Sequence, residues 1–160
     1  MIKVSIIALG KLKEKYWRDA VDEYSKRISG YSGFEIIELN PERLPDNPNA
    51  AQIETALSNE AAQIIKKIPK GSKVVTLCIE GKAVDSEFLS EYICNAALTG
   101  CSHITFIIGS SFGLHESVKK LSDLRLSFSK MTFPHQLARV MLCEQVYRAF
   151  KIGEGSAYHK

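Results

Sequence analysis

KVVTLCI at residues 73–79 and HITFII at residues 103–108 are the stretches on which the fold turns. Each is a short, nearly continuous run of apolar and β-branched side chains. Such a run lacks the alternation of a half-exposed strand and marks one covered on both faces. Between the two, Leu89, Ile93 and Ala97, with Phe88 and Tyr92 beside them, recur at helical spacing behind Ser86 as the expected N-cap. Strand, helix and strand in that order, with both strands buried, is the unit from which parallel sheets are built.

The pattern extends toward both ends. Residues 2–9 predict a strand that stops at Gly10. From about Lys13 to Ile28, Tyr16, Ala20, Tyr24 and Ile28 recur with charges between them, and Gly30 and Gly33 close that helix. Residues 34–39 predict a second strand. Pro41, Pro45 and Pro48 exclude regular structure from residues 40–49. Ile53, Ala56, Leu57, Ala61, Ile64, Ile65 and Ile68 predict a long amphipathic helix up to Pro69. Beyond residue 108 the spacing predicts a short helix over 115–121, a strand over 124–128 and a helix over 135–151. The expectation is one α/β domain spanning residues 1–160, a parallel sheet with helices on both sides.

Composition agrees with a single core. A chain of 160 residues, 45% hydrophobic and 24% charged, is too short for two ordinary domains and too apolar for disorder. At that length a core forms without disulfides or structural metal. Cys78, Cys94, Cys101 and Cys143 form no CxxC pair and have no histidine at finger spacing, so they are expected to be reduced, mostly buried thiols, with no metal site. No apolar run approaches the roughly 20 residues that cross a bilayer, and the basic N-terminus lacks a small-residue cleavage signal. A cytoplasmic protein without membrane attachment is expected. The formal charge is +3, and all of the excess lies in residues 130–160, where Lys130, Arg139, Arg148, Lys151 and Lys160 face only Glu144 and Glu154. That end suits an anionic partner, although a solvated helix face has the same composition.

In open α/β sheets ligands bind beyond the carboxyl ends of the strands. Three strand-end loops are therefore candidates: Glu80-Gly81-Lys82, Gly109-Ser110-Ser111-Phe112-Gly113 and Ser129-Lys130-Met131-Thr132-Phe133-Pro134. The glycine loop matches neither the dinucleotide fingerprint nor the Walker loop, and a tight strand-to-helix turn explains it as well as a ligand does. In the third loop Pro134 fits a first helical turn and Thr132 is placed to cap it.

On the last predicted helix His135 and Arg139 face one way, and Glu144 and Arg148 form a second pair four residues apart. Its remaining circumference is more apolar than one sheet face can hide, which suggests a subunit interface. The tail ends in Tyr158, His159 and Lys160, able to stack on a base, exchange a proton and meet a phosphate, or simply to fray. Lys11, Lys13, Lys15 and Arg18 with Tyr16 and Trp17 form a second basic and aromatic cluster.

GKLKEKYW (10–17), VTLCIEGK (75–82), FIIGSSFGL (106–114), LSFSKMTFPHQLARVMLCEQVYRAFKI (126–152) and the terminal YHK resemble, along the whole chain, the RlmH family of ribosomal RNA large-subunit methyltransferases in the SPOUT superfamily. The resemblance implies an α/β domain with a C-terminal trefoil knot, in which the cofactor-binding knot occupies about residues 74–160. It also implies a homodimer that transfers the methyl group of S-adenosylmethionine, without metal, to N3 of a pseudouridine in helix 69 of 23S rRNA on the assembled ribosome. Its cofactor positions fall on Leu77, Gly109, Phe128, Ser129, Lys130, Met131, Thr132, Phe133 and Pro134. Those facing the target base fall on His135, Arg148, Tyr158 and His159, with the tail reaching the other subunit's site. Many members have a second glycine where this chain has Ser110, which implies a slightly tighter loop here. Two other functions compete: a flavin- or dinucleotide-binding domain using the same loops, against which the missing phosphate fingerprint counts, and a non-catalytic ribosome-associated RNA-binding protein that keeps the fold and the basic C-terminus but transfers nothing.

Overall fold

A computed structural model describes all 160 residues. The elements run β1 (Lys3–Leu9), α1 (Lys15–Ile28), β2 (Gly33–Leu39), α2 (Ala50–Lys67), β3 (Lys73–Ala83), α3 (Ser86–Leu98), β4 (His103–Ile108), α4 (Glu116–Lys120), β5 (Leu124–Ser127) and α5 (His135–Gly153). The five strands form one sheet in the order β2-β1-β4-β3-β5, and every pairing is parallel.

Strand periodicity sorts the core into two layers. Val4, Ile6 and Ala8 of β1 pack with Val21 and Ile28 of α1, Leu89 and Ile93 of α3, and Leu142, Val146 and Ala149 of α5. Ile7 and Leu9 face the other way, onto Ala61 and Ile64 of α2 and Val118 of α4. Both faces of the sheet are therefore covered, which is why the central strands are written in uninterrupted apolar residues.

The structure departs from the sequence expectations at several points. β3 does not end at Ile79 but continues to Ala83, and its pairing with β5 slips register between Leu77 and Lys82. Gly81 is therefore a strand residue: a Cβ there would sit 2.7 Å from the Arg125 carbonyl oxygen, so only glycine lets the two backbones pass. Asp85, not Ser86, caps α3, accepting from the Phe88 N–H at 2.8 Å, while the Ser86 hydroxyl donates to Gln145. Ala96 rather than Ala97 completes the buried stripe. Thr132 does not cap α5; Pro134 holds the N-cap position with no side-chain bond. Cys78 and Cys143 are buried as expected, but Cys94 is exposed and Cys101 half-buried.

Although it follows the edge strand β5, α5 returns across the sheet to pack against α1 and α3. Arg139 fixes that return. Its side chain is only 2% exposed, and it donates through Nη1 to Glu38 Oε2 at 2.6 Å and through Nη2 to the Gly10 carbonyl at 3.0 Å. One guanidinium thus joins the start of α5 to the ends of β1 and β2. Arg139→Met removes the cation and leaves the Gly10 carbonyl without that donor while Glu38 stays hydrated, and should lower the unfolding free energy by about 2 kcal/mol in urea titration. A loss below about 1 kcal/mol would show that Arg139 is not a structural tie.

Candidate functional site

The carboxyl ends of β3, β4 and β5 enclose a cavity of about 740 Å³, the size range of small-molecule and cofactor sites. Leu77 to Glu80 form one wall, loop 109–113 with Leu114 a second, and residues 126–129 and 131–135 a third. Leu77, Gly109, Phe128, Ser129, Met131, Thr132, Phe133 and Pro134 all line it, as does His135. Lys130 is exposed and does not.

Each wall has a local cause. After β4 the chain doubles back on itself, with the Gly113 N–H donating to the Ser110 carbonyl at 2.8 Å and Gly113 at φ +84°. A Cβ on Gly109 would lie 2.4 Å from the Gly113 carbonyl oxygen, so the turn closes only over glycine. After β5, the Ser127 hydroxyl donates to the Ile79 carbonyl at 2.9 Å, and the Met131 N–H to Ser129 Oγ at 3.0 Å. These bonds shape the third loop while leaving Met131 72% exposed at the rim.

The lining is mostly apolar with few charges. Lys119 pairs with Glu80, and its ammonium holds the Glu80 carboxyl below the usual range. Nothing in the sequence marks that pair, because its members stand on different elements. Burial pushes the Cys78 thiol up and keeps it neutral near pH 7. Burial, and then the neighbouring Arg139 charge, push the His135 imidazole down, so it too is neutral near pH 7; its Nδ1 is buried without a partner.

Arg148, Tyr158 and His159 form a second constellation. Arg148 donates to Glu144 Oε1 through Nε at 3.0 Å and Nη2 at 2.6 Å, and its guanidinium lies 4.7 Å from the Tyr158 ring centre. Tyr158 also meets Tyr147 edge-on, and its hydroxyl donates to Glu144 at 3.3 Å. His159 accepts from Arg148 at Nδ1 and donates from Nε2 to Glu87 at 2.7 Å. The tail is therefore packed rather than frayed. Arg148 lies thirteen positions beyond His135 on α5, a rise of about 20 Å. Within one chain these groups do not reach the cavity.

A family model described as "Predicted SPOUT methyltransferase" matches residues 2–159. The chain is 51% identical, over 99% of its length and 100% of the relative's, to "Putative ribosomal RNA large subunit methyltransferase H" of Methanococcus maripaludis. It is 50% identical, with the same coverage, to "Ribosomal RNA large subunit methyltransferase H" of Ruminiclostridium cellulolyticum. Among solved structures it resembles "The structure of a probable methylase family protein from Haemophilus influenzae Rd KW20", at a TM-score of 0.54 and 12% identity, over 100% of this chain and 72% of that one. That likeness concerns the fold.

Two half-buried imidazoles give a pH dependence to stability. His103 and His135 both have lowered pKa values, each chiefly through burial. Unfolded histidine takes up its proton near pH 6.5, about two units above the range where carboxylates titrate. Below pH 6.5 the unfolded chain binds more protons than the folded one, so stability falls as pH drops. The urea midpoint should therefore be lower at pH 5.5 than at pH 7.5, and His135→Gln should reduce the difference. Equal midpoints at the two pH values would contradict the lowered pKa of both rings.

Proposed function

The chain belongs to the SPOUT methyltransferase family, and on that premise we propose that it methylates large-subunit ribosomal RNA with S-adenosylmethionine as the donor. The finer assignment is N3 of a pseudouridine in helix 69 of 23S rRNA, on assembled ribosomes in the cytoplasm. The observation that carries it is the convergence on one cavity of Leu77, the Gly109 turn and the loop that opens α5. The names of full-length relatives at about half identity support the RNA substrate.

The residues present fit the donor. The cavity has room for it, the walls at Leu77, Phe128 and Phe133 suit an adenine ring, and the Gly109 turn brings backbone close where a Cβ would intrude. S-adenosylmethionine supplies, when bound, an electrophilic methyl group on sulfur. The chain's task is to hold donor and acceptor aligned and to remove the N3 proton. His135, neutral near pH 7 and at the cavity, accepts that proton. Arg148 stabilises the negative charge that develops on the base, and Tyr158 and His159 seat it.

Because Arg148, Tyr158 and His159 stand about 20 Å along α5 from His135, the complete site needs a second copy of the chain. A homodimer is part of the proposal, supported by the half-exposed Leu137, Val140, Met141 and Ile152 on α5. A trefoil knot in about residues 74–160 belongs to it as well. It is supported by the insertion of β4 between β1 and β3 and by the return of α5 from the edge strand to α1 and α3.

Incubation with methyl-labelled S-adenosylmethionine and ribosomes lacking the modification should label one pseudouridine of helix 69. No label, or saturable binding of NAD or FMN in its place, would overturn the assignment. Arg148→Ala and Gly109→Ala should each abolish transfer, Gly109→Ala through loss of donor binding. Mixed after unfolding and refolding together, the two inactive chains should recover roughly a quarter of wild-type activity, because half the dimers then hold one intact composite site. No recovery would place both groups in the same chain's site.

A further inference from the structure

Glu60 on α2 is a buried carboxylate, 4% exposed. Such a group is costly unless its oxygens are matched. Here the matching is done by neutral donors: Ser110 Oγ donates to Oε1 at 2.8 Å, and the Glu42 N–H to Oε2 at 2.9 Å. One side chain therefore joins three segments: the proline-rich connection after β2, helix α2, and the cavity-lining turn after β4.

The connection to the turn is the informative one. Residues 109–113 form a turn closed on itself by the Gly113 N–H, and Ser111, Phe112 and Gly113 are exposed. The bond from Ser110 to Glu60 is the side-chain hydrogen bond that anchors this turn to the body of the protein. Ser110 itself lines the cavity, so its position sets the width of that wall. A glycine there would have no hydroxyl to anchor.

We propose that Ser110 and Glu60 form a tether that holds the 109–113 turn in its donor-binding shape, with Glu60 a positioning residue for S-adenosylmethionine. The proposal rests on the donor assigned above. Without the tether the turn samples other shapes, and donor binding must select the competent one, so affinity falls by the fraction of time the turn spends in that shape. The step of transfer itself is unaffected once the donor is seated. The effect therefore belongs in donor affinity and KM far more than in kcat.

The test is calorimetric titration of S-adenosylmethionine into wild type, Ser110→Ala, Glu60→Gln and the double variant, with melting curves and amide exchange on each. Ser110→Ala should bind the donor about tenfold more weakly, the usual scale for a hydrogen bond to a charged group. Glu60→Gln keeps an acceptor oxygen for Ser110 and should lose less, and the double variant no more than Ser110→Ala alone. Amides of residues 109–113 should exchange faster in Ser110→Ala by a larger factor than those of the central strands, whose exchange reports the global cost of leaving one Glu60 oxygen unmatched. Wild-type affinity in both single variants, or losses that add in the double variant, would overturn the tether. If wild type itself binds no S-adenosylmethionine, the donor assignment fails, and the exchange rates alone decide: unchanged exchange in Ser110→Ala overturns the tether.

Discussion

Arginine does not lose its proton in a protein, so burying one obliges the fold to surround it with acceptors. Arg139 is buried here, and its acceptors are Glu38 near the end of β2 and the Gly10 carbonyl just past β1. This constraint places the first turn of α5 over the carboxyl ends of two strands remote from β5, the strand that precedes it. Gly10, at φ +98°, turns its carbonyl toward the guanidinium, and a Cβ on it would come within 3.9 Å of His135 Cε1. The position of His135, and with it one wall of the cavity, follows from where Arg139 is held. The Arg139 charge also adds to burial in keeping that imidazole neutral. The same side chain thus fixes the place of the histidine beside the cavity and reinforces the neutral state that burial imposes on it.

The parts of this architecture that arise from local periodicity are legible in the sequence. Residues 103–108 predict β4 to the residue, because an apolar, β-branched run has few other uses in a parallel sheet. The two-sided covering follows from the same runs. The last residues of β3 are not legible, since Glu80, Gly81 and Lys82 read as a turn. Only their proximity to the β5 backbone makes Gly81 a necessity, and proximity between residues 81 and 125 is not a local property. The polar ties are hidden for the same reason. Arg139 reads as one more basic residue on the last helix, and Glu60 as a lone carboxylate at an apolar-stripe position of α2, with no partner visible until the fold brings Glu38 and Ser110 to them.

The candidate site divides along the same line. Its loops are visible as glycine and hydroxyl residues where strands end, since backbone must approach a ligand there. That Lys130 stands outside while its neighbours line the cavity is invisible to spacing, because the segment has no period. The resemblance of the chain to a known family groups His135, Arg148, Tyr158 and His159 as one set. The structure separates them into two constellations at opposite ends of α5, and that separation turns a list of residues into a geometric requirement.

A helix is a stiff ruler. About 20 Å of α5 separates a neutral imidazole beside the cavity from a guanidinium stacked on Tyr158, and no rotamer change spans that distance. Motion of the tail alone does not close it either, because Arg148 is fixed to the helix whatever Tyr158 and His159 do. In the proposed dimer a two-fold axis relates the two copies, so running the two α5 helices side by side in opposite directions sets the start of one against the end of the other. That arrangement makes two identical composite sites at once and covers the half-exposed apolar residues of the helix. It also gives Glu144 and Glu87 a function in the isolated chain. They pre-order Arg148, Tyr158 and His159 on the helix and on α3, so that a partner meets a formed surface rather than a mobile tail.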